Sequence, residues 1–249
     1  MHFLLQTIRH QIVHDFTFAV LRAKEFYDWA RDPFDITFVE IGGIDAIREP
    51  DLYVPVGSVE FVSAYLQHHY PNADPAMLMP LNVPEVLFQF AGRKIADIMH
   101  PEDVRQLAAS GVRKVYRKSL LDIKDEDNGV TVFEADNPLL VMSQVSELID
   151  IRSEWRVFVF HGQILHAACY CGDPLVFPDA DTIRAMVAAY DGAPAAWTLD
   201  VAVTAAGDTV VIECHRFFSC GLYGFNDYAR LPKMLSQTWF EITNTKKSL

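Results

Sequence analysis

Trp197–Val203 reads WTLDVAV and Val210–His215 reads VVIECH. Both are apolar, largely β-branched runs, and the turn-forming Ala205, Ala206, Gly207 and Asp208 between them make the pair a hairpin. Each run is broken by one acid, Asp200 in the first and Glu213 in the second. A lone charge buried in such a strand is costly unless a partner balances it. Alternate side chains of a strand share a face, so Glu213 and His215 point together while Cys214 points away, and Asp200 reaches the same place from the neighbouring strand. Two carboxylates beside a nitrogen ligand form a donor set for Mg²⁺ shared with phosphate oxygens. The alternative is that both acids are ordinary outward-facing polar residues.

Just upstream, Ser153–Val159 reads SEWRVFV. Trp155–Phe160 and Ile164–Tyr170 form a second hairpin, with Gly162 after His161 supplying the positive φ of a tight turn. Glu154 and Arg156 share one face, and Trp155 and Val157 take the other. An arginine beside carboxylates reads as a structural ion pair. In a nucleotide site the same planar fork would grip a transferring phosphoryl group. From Ser146 to Phe225 the chain thus orders Glu147, Glu154, Arg156, Asp200, Glu213 and His215, ahead of a glycine-containing loop at Ser219, Cys220 and Gly221. That order points to nucleotide chemistry.

Working outward, the first third reads as an α/β lobe. Met1–Gln6 is expected as a short edge strand, followed by a helix carrying Phe16, Val20, Leu21 and Trp29, capped by Asp15 and stopped by Pro33. Asp35–Ile41 and Leu52–Val56 read as strands, and Ser58 is placed to cap a helix containing Phe61, Val62, Tyr65 and Leu66. Gly57 and Ser58 could offer free N–H groups to an anion or simply make a strand-to-helix turn. Tyr70–Pro84 holds Pro71, Pro75, Pro80 and Pro84 and reads as a linker. The expected division is therefore residues 1–75 and 76–249. Beyond it we expect a helix from Pro101 to Gly111, a basic strand Val112–Arg117 ending at Lys118, a turn at Asp125–Gly129, and strands at Val130–Glu134 and Leu139–Val145. Asp179 or Asp181 caps a helix with Ile183, Met186, Val187 and Tyr190 on one face, and a last helix covers Leu231–Ile242.

The chain has 249 residues, 51% of them hydrophobic, enough for a sizeable buried core. With 21 basic and 33 acidic residues the formal charge is −12, a field that repels nucleic-acid backbones. No apolar run approaches the ~18–20 residues a membrane-spanning helix needs, so neither nucleic acid nor membrane is an expected partner, and a cytoplasmic location is expected. Cys169, Cys171, Cys214 and Cys220 match no zinc spacing, and the period-two pair Cys169 and Cys171 reads as buried thiols on one strand face. Cys220 lacks a base tied to it in sequence and reads as a packing residue. Lys246 and Lys247 read as a solvated tail.

Arg117 and Lys118 on a strand, Gln144–Leu148 as a connecting segment, SEWRVFV, WTLDVAV, VVIECH and FFSCGLYGF at Phe217–Phe225 together resemble the ATP-grasp superfamily. Within it, the chain most resembles the short phage and bacterial clade named for its two arginines and one lysine. The resemblance covers residues 112–228, with an echo in YVPVGSVEF at Tyr53–Phe61. It implies an α+β architecture in which two α+β lobes clamp ATP, preceded by a small α/β lobe. It also implies an ADP-forming carboxylate–amine ligase that works through an acyl-phosphate, with ATP and Mg²⁺ as cofactors and a carboxylate and an amine as substrates. Residue by residue, Lys118 would contact the α and β phosphates, with Arg117 or Lys124 as alternatives. Glu147 and Leu148 would meet adenine and Glu154 the ribose hydroxyls. Arg156 would face the γ-phosphate, and Asp200 and Glu213, with His215, would hold the metal. His215 departs from the pattern, since the superfamily usually places Asn there. The competing expectation is a nucleotide- or partner-binding module without ligase activity. Covalent nucleotidyl transfer is excluded, because the Lys-x-Asp-Gly nucleophile it needs is missing.

Overall fold

The computed structural model describes residues 1–79, 81–120, 132–218 and 220–244. Three sheets follow one another along the chain. The first contains β1 (His2–Gln6), β2 (Asp35–Val39) and β3 (Val54–Val56), all parallel in the order β2-β1-β3, with α1 (Asp15–Trp29) and α2 (Val59–His69) as its helices. β1 is therefore the central strand and not the expected edge. Its run Phe3-Leu4-Leu5 is wholly buried, the consequence of a parallel strand covered on both faces, where alternation disappears.

Local corrections follow from cap and turn chemistry. His14, not Asp15, occupies the N-cap of α1 and makes no side-chain cap bond. Asp15 is the first helical residue, and its carboxylate accepts from the N–H of Phe16 at 2.8 Å and of the distant Leu222 at 2.9 Å. Pro50–Leu52 turns as a 3₁₀ helix and β2 stops at Val39, so both strands are shorter than expected. Ser58 does cap α2, accepting from Phe61 N–H at 3.2 Å. The Ser58 N–H itself is taken by Gln6 Oε1 at 2.7 Å, so that donor is not offered to an anion.

The segment expected as a linker is ordered wall. It forms a 3₁₀ turn at Pro75–Leu78, with Ala73 and Leu78 packed in one core and Val83 in another, and a second 3₁₀ turn at Glu85–Phe90 follows it directly. Pro80 lies outside the described residues.

The middle sheet is antiparallel in the order β4-β7-β5-β6, with β4 (Ile95–Ile98), β5 (Lys114–Ser119), β6 (Val132–Glu134) and β7 (Ser143–Glu147). α3 (Pro101–Ala109) packs on it, with Pro101 in its first turn and Gly111 following its C-cap at φ 87°. The strand expected at Leu139–Val145 is displaced: Pro138–Leu140 is a 3₁₀ turn capped by Asn137, and pairing begins at Ser143. Gln144–Glu147 is thus strand, not a free connecting segment. The turn expected at Asp125–Gly129 and the first two residues of Val130–Glu134 lie outside the described residues.

The third sheet is antiparallel in the order β11-β10-β8-β9, with β8 (Ile151–Phe160), β9 (Gln163–Gly172), β10 (Ala196–Thr204) and β11 (Thr209–Arg216). His161 and Gly162, at φ 47° and 72°, make the β8–β9 turn. Trp155, Val157, Leu199, Val201 and Cys214 fill the core under α4 (Ala180–Ala189), whose N-cap Asp179 accepts from Thr182 N–H at 2.7 Å. On the opposite face Phe158 joins Phe217, the first sheet and α5 (Leu231–Asn244) in one core. Burial of apolar side chains such as Met234, Leu235 and Ile242 contributes roughly 1.5–3 kcal/mol each. The first sheet and the third sheet therefore share a core, which packs against the face of the third sheet that also carries its charges.

Candidate active site

Three strands place three charges side by side. Arg156 on β8 pairs in register with Asp200 on β10, and Asp200 with Glu213 on β11, so all three stand on the sheet face opposite Trp155, Leu199 and Cys214. A register shift just after Asp200 re-aims the hairpin there, while leaving the charged row intact. Thr198 pairs with His215, which brings the imidazole to the same face one step further on.

The Arg156–Asp200 contact is bidentate, Nε to Oδ1 at 2.8 Å and Nη2 to Oδ2 at 2.7 Å, with side-chain exposures of 6% and 1%. Nη1 of Arg156 also donates to the Gly221 carbonyl at 3.1 Å. Its guanidinium lies 4.9 Å from the ring of Tyr223 and 5.6 Å from that of Tyr170, and those two rings stack 5.0 Å apart. The ion-pair reading of Arg156 therefore describes its geometry. Burial opposes the charge on Asp200, but the two bonds from Arg156 and the nearby His215 outweigh it and hold the carboxyl below its ordinary range.

Glu213 is gripped from the other sheet. Lys118 Nζ on β5 sits 2.5 Å from Glu213 Oε1 and donates to the Leu81 carbonyl at 2.9 Å. Glu213 Oε2 faces His215 Nε2 at 2.9 Å, and Asp200 Oδ2 lies 3.6 Å from the same nitrogen. These contacts bring charges together without the alignment of a hydrogen bond, and both ring nitrogens are buried with no hydrogen-bond partner among the described residues. Burial disfavours a charged His215, yet Glu213 and Asp200 override it and raise its pKa. Asp200, Glu213 and His215 each offer one donor atom within 4.8 Å of the others, so two carboxylates and an orphaned nitrogen do fit a divalent cation.

Between the middle and third sheets lies a cleft of about 500 Å³, of the size that takes a small ligand or cofactor. Lys118 and Glu213 line it, as do Glu147, Leu148, Glu154 and the apolar Val83, Ile95, Ile149, Ile151 and Ile212. Glu147 accepts from Lys94 N–H at 2.9 Å and Glu154 from the Tyr170 hydroxyl at 2.7 Å. Gln144 fastens the wall: its amide bonds both Val83 backbone groups, at 3.0 and 3.2 Å, and Asp97 at 2.9 Å. Arg156, Asp200 and His215 are buried beside Glu213 rather than in the cleft wall. Strand alternation separates Lys118 from Arg117: Lys118 faces the cleft, whereas Arg117 bonds Ser143 Oγ at 2.7 Å and lies over the Phe133 ring. Lys124 lies outside the described residues, as do Ser219, Lys246 and Lys247.

Sequence reading missed Arg93, Tyr170 and Tyr223. Arg93 lines the cleft and donates to the carbonyls of Val211 at 2.7 Å and Ala91 at 3.0 Å, and burial lowers its pKa. Its one signal is the basic pair after Gly92. Tyr170 is the extra residue where the β8–β9 register slips between Glu154 opposite Cys171 and Trp155 opposite Cys169. That slip also corrects the cysteines, since Cys171 is exposed, Cys169 half-buried, and all four thiols are free.

Residues 90–231 match the model of an ATP-grasp domain, the second family of the clade named for its two arginines and one lysine. The chain belongs to that family, and it has the ATP-grasp fold. The match begins earlier than the likeness read from sequence and takes in Arg93 and β4. Among solved structures, the fold is similar to that of D-cycloserine synthetase DcsG, at 13% identity over 96% of this chain and 100% of that one, with a TM-score of 0.52. It is similar also to macrocyclase MdnC bound with precursor peptide MdnA from Microcystis aeruginosa MRC, at 14% identity over 98% and 100% of the two chains and a TM-score of 0.51. ATP-grasp ligase PsnB complexed with minimal precursor gives 13% identity over 95% and 99%, with a TM-score of 0.51. No curated protein sequence matches the chain. Among the described residues no helix is long and apolar enough to cross a membrane.

Proposed function

We propose that the protein is an ATP-dependent carboxylate–amine ligase that phosphorylates a carboxylate with ATP, releases ADP, and lets an amine displace phosphate from the acyl-phosphate to form an amide. The observation that carries this reading is the row Arg156–Asp200–Glu213, joined to Lys118 across the cleft between two sheets. Family membership supports the nucleotide. Leu148, Ile149 and Ile151 offer apolar surface to a base, Glu147 and Glu154 acceptors to amino and hydroxyl groups, and Lys118 a point charge to phosphate. Arg156 acts chiefly by fixing Asp200 and the Gly221 backbone, with contact to the transferring phosphoryl group as its further proposed role.

Asp200, Glu213 and His215 would hold Mg²⁺, which supplies positive charge that offsets repulsion between an attacking carboxylate and the triphosphate. Residues 1–75 are proposed as the lobe that precedes the ATP-grasp portion, residues 76–249. The carboxylate and amine belong to a small molecule, a peptide or a protein terminus, and the two similar ligases solved with precursor peptides favour a peptide. The cytoplasm is the proposed location.

The test is ADP release from ATP and Mg²⁺ with mixed amino acids and peptides, comparing wild type with Glu213→Ala. Metal-dependent ADP release that disappears in the variant supports ligation, and full activity in the variant refutes the assignment of Glu213. A second reading, a nucleotide-binding module, draws on the closed ion pairs around Asp200 and on His215. Measurable ATP binding with no ADP under any acceptor would favour it.

A further inference from the structure

Building on the nucleotide reading above, we propose that Asp200, Glu213 and His215 form a mixed oxygen–nitrogen centre that takes a divalent transition cation, with Mn²⁺ as its probe, in preference to Mg²⁺. The donors are Asp200 Oδ2, Glu213 Oε2 and His215 Nε2. Adjacent ligands of an octahedral ion with arms of about 2.1 Å stand about 3.0 Å apart. His215 Nε2 lies 2.9 Å from Glu213 Oε2 and 3.6 Å from Asp200 Oδ2, spacings that small side-chain adjustments bring to that value.

The other oxygens are already assigned, which defines the open side. Lys118 holds Glu213 Oε1, leaving Oε2 to the imidazole. Arg156 donates one bond to each Asp200 oxygen, and a carboxylate oxygen keeps a second lone pair. His215 itself carries the strongest evidence. Its side chain is 9% exposed, yet neither ring nitrogen has a hydrogen-bond partner among the described residues, a costly arrangement that a bound cation relieves.

The element follows from donor chemistry. Mg²⁺ requires oxygen donors and dehydrates reluctantly, so an imidazole at close quarters is a poor ligand for it. First-row transition ions accept imidazole nitrogen, and Mn²⁺ shares with Mg²⁺ the octahedral preference and affinity for carboxylate and phosphate oxygens. A carboxamide at position 215 would offer oxygen and restore the all-oxygen set.

Direct nitrogen ligation is read by pulsed electron paramagnetic resonance on Mn²⁺ bound to the whole protein, with and without a non-hydrolysable ATP analogue. The wild type should show ¹⁴N modulation from a bound imidazole, and His215→Asn should lose it. Loss of even an outer-shell partner changes metal affinity roughly 10–100-fold, so the Mn²⁺-over-Mg²⁺ preference should fall at least about tenfold in the variant. No ¹⁴N coupling in the wild type, no bound Mn²⁺, or the same preference in both proteins would overturn the inference, and the wild-type spectrum decides even if the variant fails to fold. Calorimetry of the ATP analogue with Mg²⁺ separates this result from the nucleotide reading: coupling without nucleotide binding upholds the centre and sinks the ligase, and nucleotide binding without coupling overturns the centre while leaving the nucleotide reading standing.

Discussion

Removing Arg156 alone should cost more stability than removing its ion pair entirely. In Arg156→Met, Asp200 stays at 1% exposure and loses both its donated bonds, retaining only His215 at 3.6 Å. Breaking a buried pair by deleting one partner costs about 3–5 kcal/mol, because the surviving charge is left in a medium that cannot solvate it. For a chain of this size each kcal/mol moves the melting temperature by about 2–4 °C, so Arg156→Met should melt roughly 10 °C lower. Asp200→Leu should cost less, since Arg156 keeps the Gly221 carbonyl and two tyrosine faces. The double variant Arg156→Met/Asp200→Leu removes both charges and should recover most of the loss, being near neutral for the fold while inactive. Thermal melts of all four proteins form the cycle. The reasoning is refuted if Arg156→Met melts within about 3 °C of wild type, or if the double variant shows the sum of the two single losses.

The other expectations are more local. Leu148→Ala trims a half-exposed apolar side chain of the cleft, removing about 1–2 kcal/mol of contact with a bound base, so calorimetry should show ATP affinity about tenfold weaker at an unchanged melting temperature. In native protein at pH 8, iodoacetamide should label exposed Cys171 first; burial pushes the Cys220 thiol up to about 12, leaving about one part in ten thousand as thiolate, and mass spectrometry should find Cys220 labelled only after unfolding. Gly172 stands at φ 79° at the end of β9, and an added Cβ would strike the Arg152 carbonyl, so Gly172→Ala should lower stability by about 1–3 kcal/mol in urea melts. Equal stability would mean that the strand end can relax.

Period-two alternation settled much of this protein before any coordinates. WTLDVAV and VVIECH each keep their charged or ionisable side chains to one strand face, which is why Asp200, Glu213 and His215 were legible as neighbours, and Glu154 with Arg156 beside them. The order of these pieces was enough to suggest the family. The Ser58 cap was equally readable, and Asp179 was one of two candidates that the structure decided between. Strand ends were not. Pro50–Leu52 and Pro138–Leu140 curl into 3₁₀ turns because proline removes the donors a ladder needs, a choice that neighbouring strands make final.

What only the tertiary structure decided concerns contacts between elements distant in sequence. Lys118 meets Glu213 because two sheets face each other, and no pattern within either strand encodes that distance. The position of β1 as a central strand depended on both of its parallel partners. Tyr170 lies near Arg156 at a slip of register, which shifts side chains relative to a partner strand without altering local composition. Residue order dictates which face a side chain takes along its own strand, since covalent geometry sets that alternation. Packing of whole sheets sets what it meets there, and here that meeting put the Lys118 ammonium against Glu213.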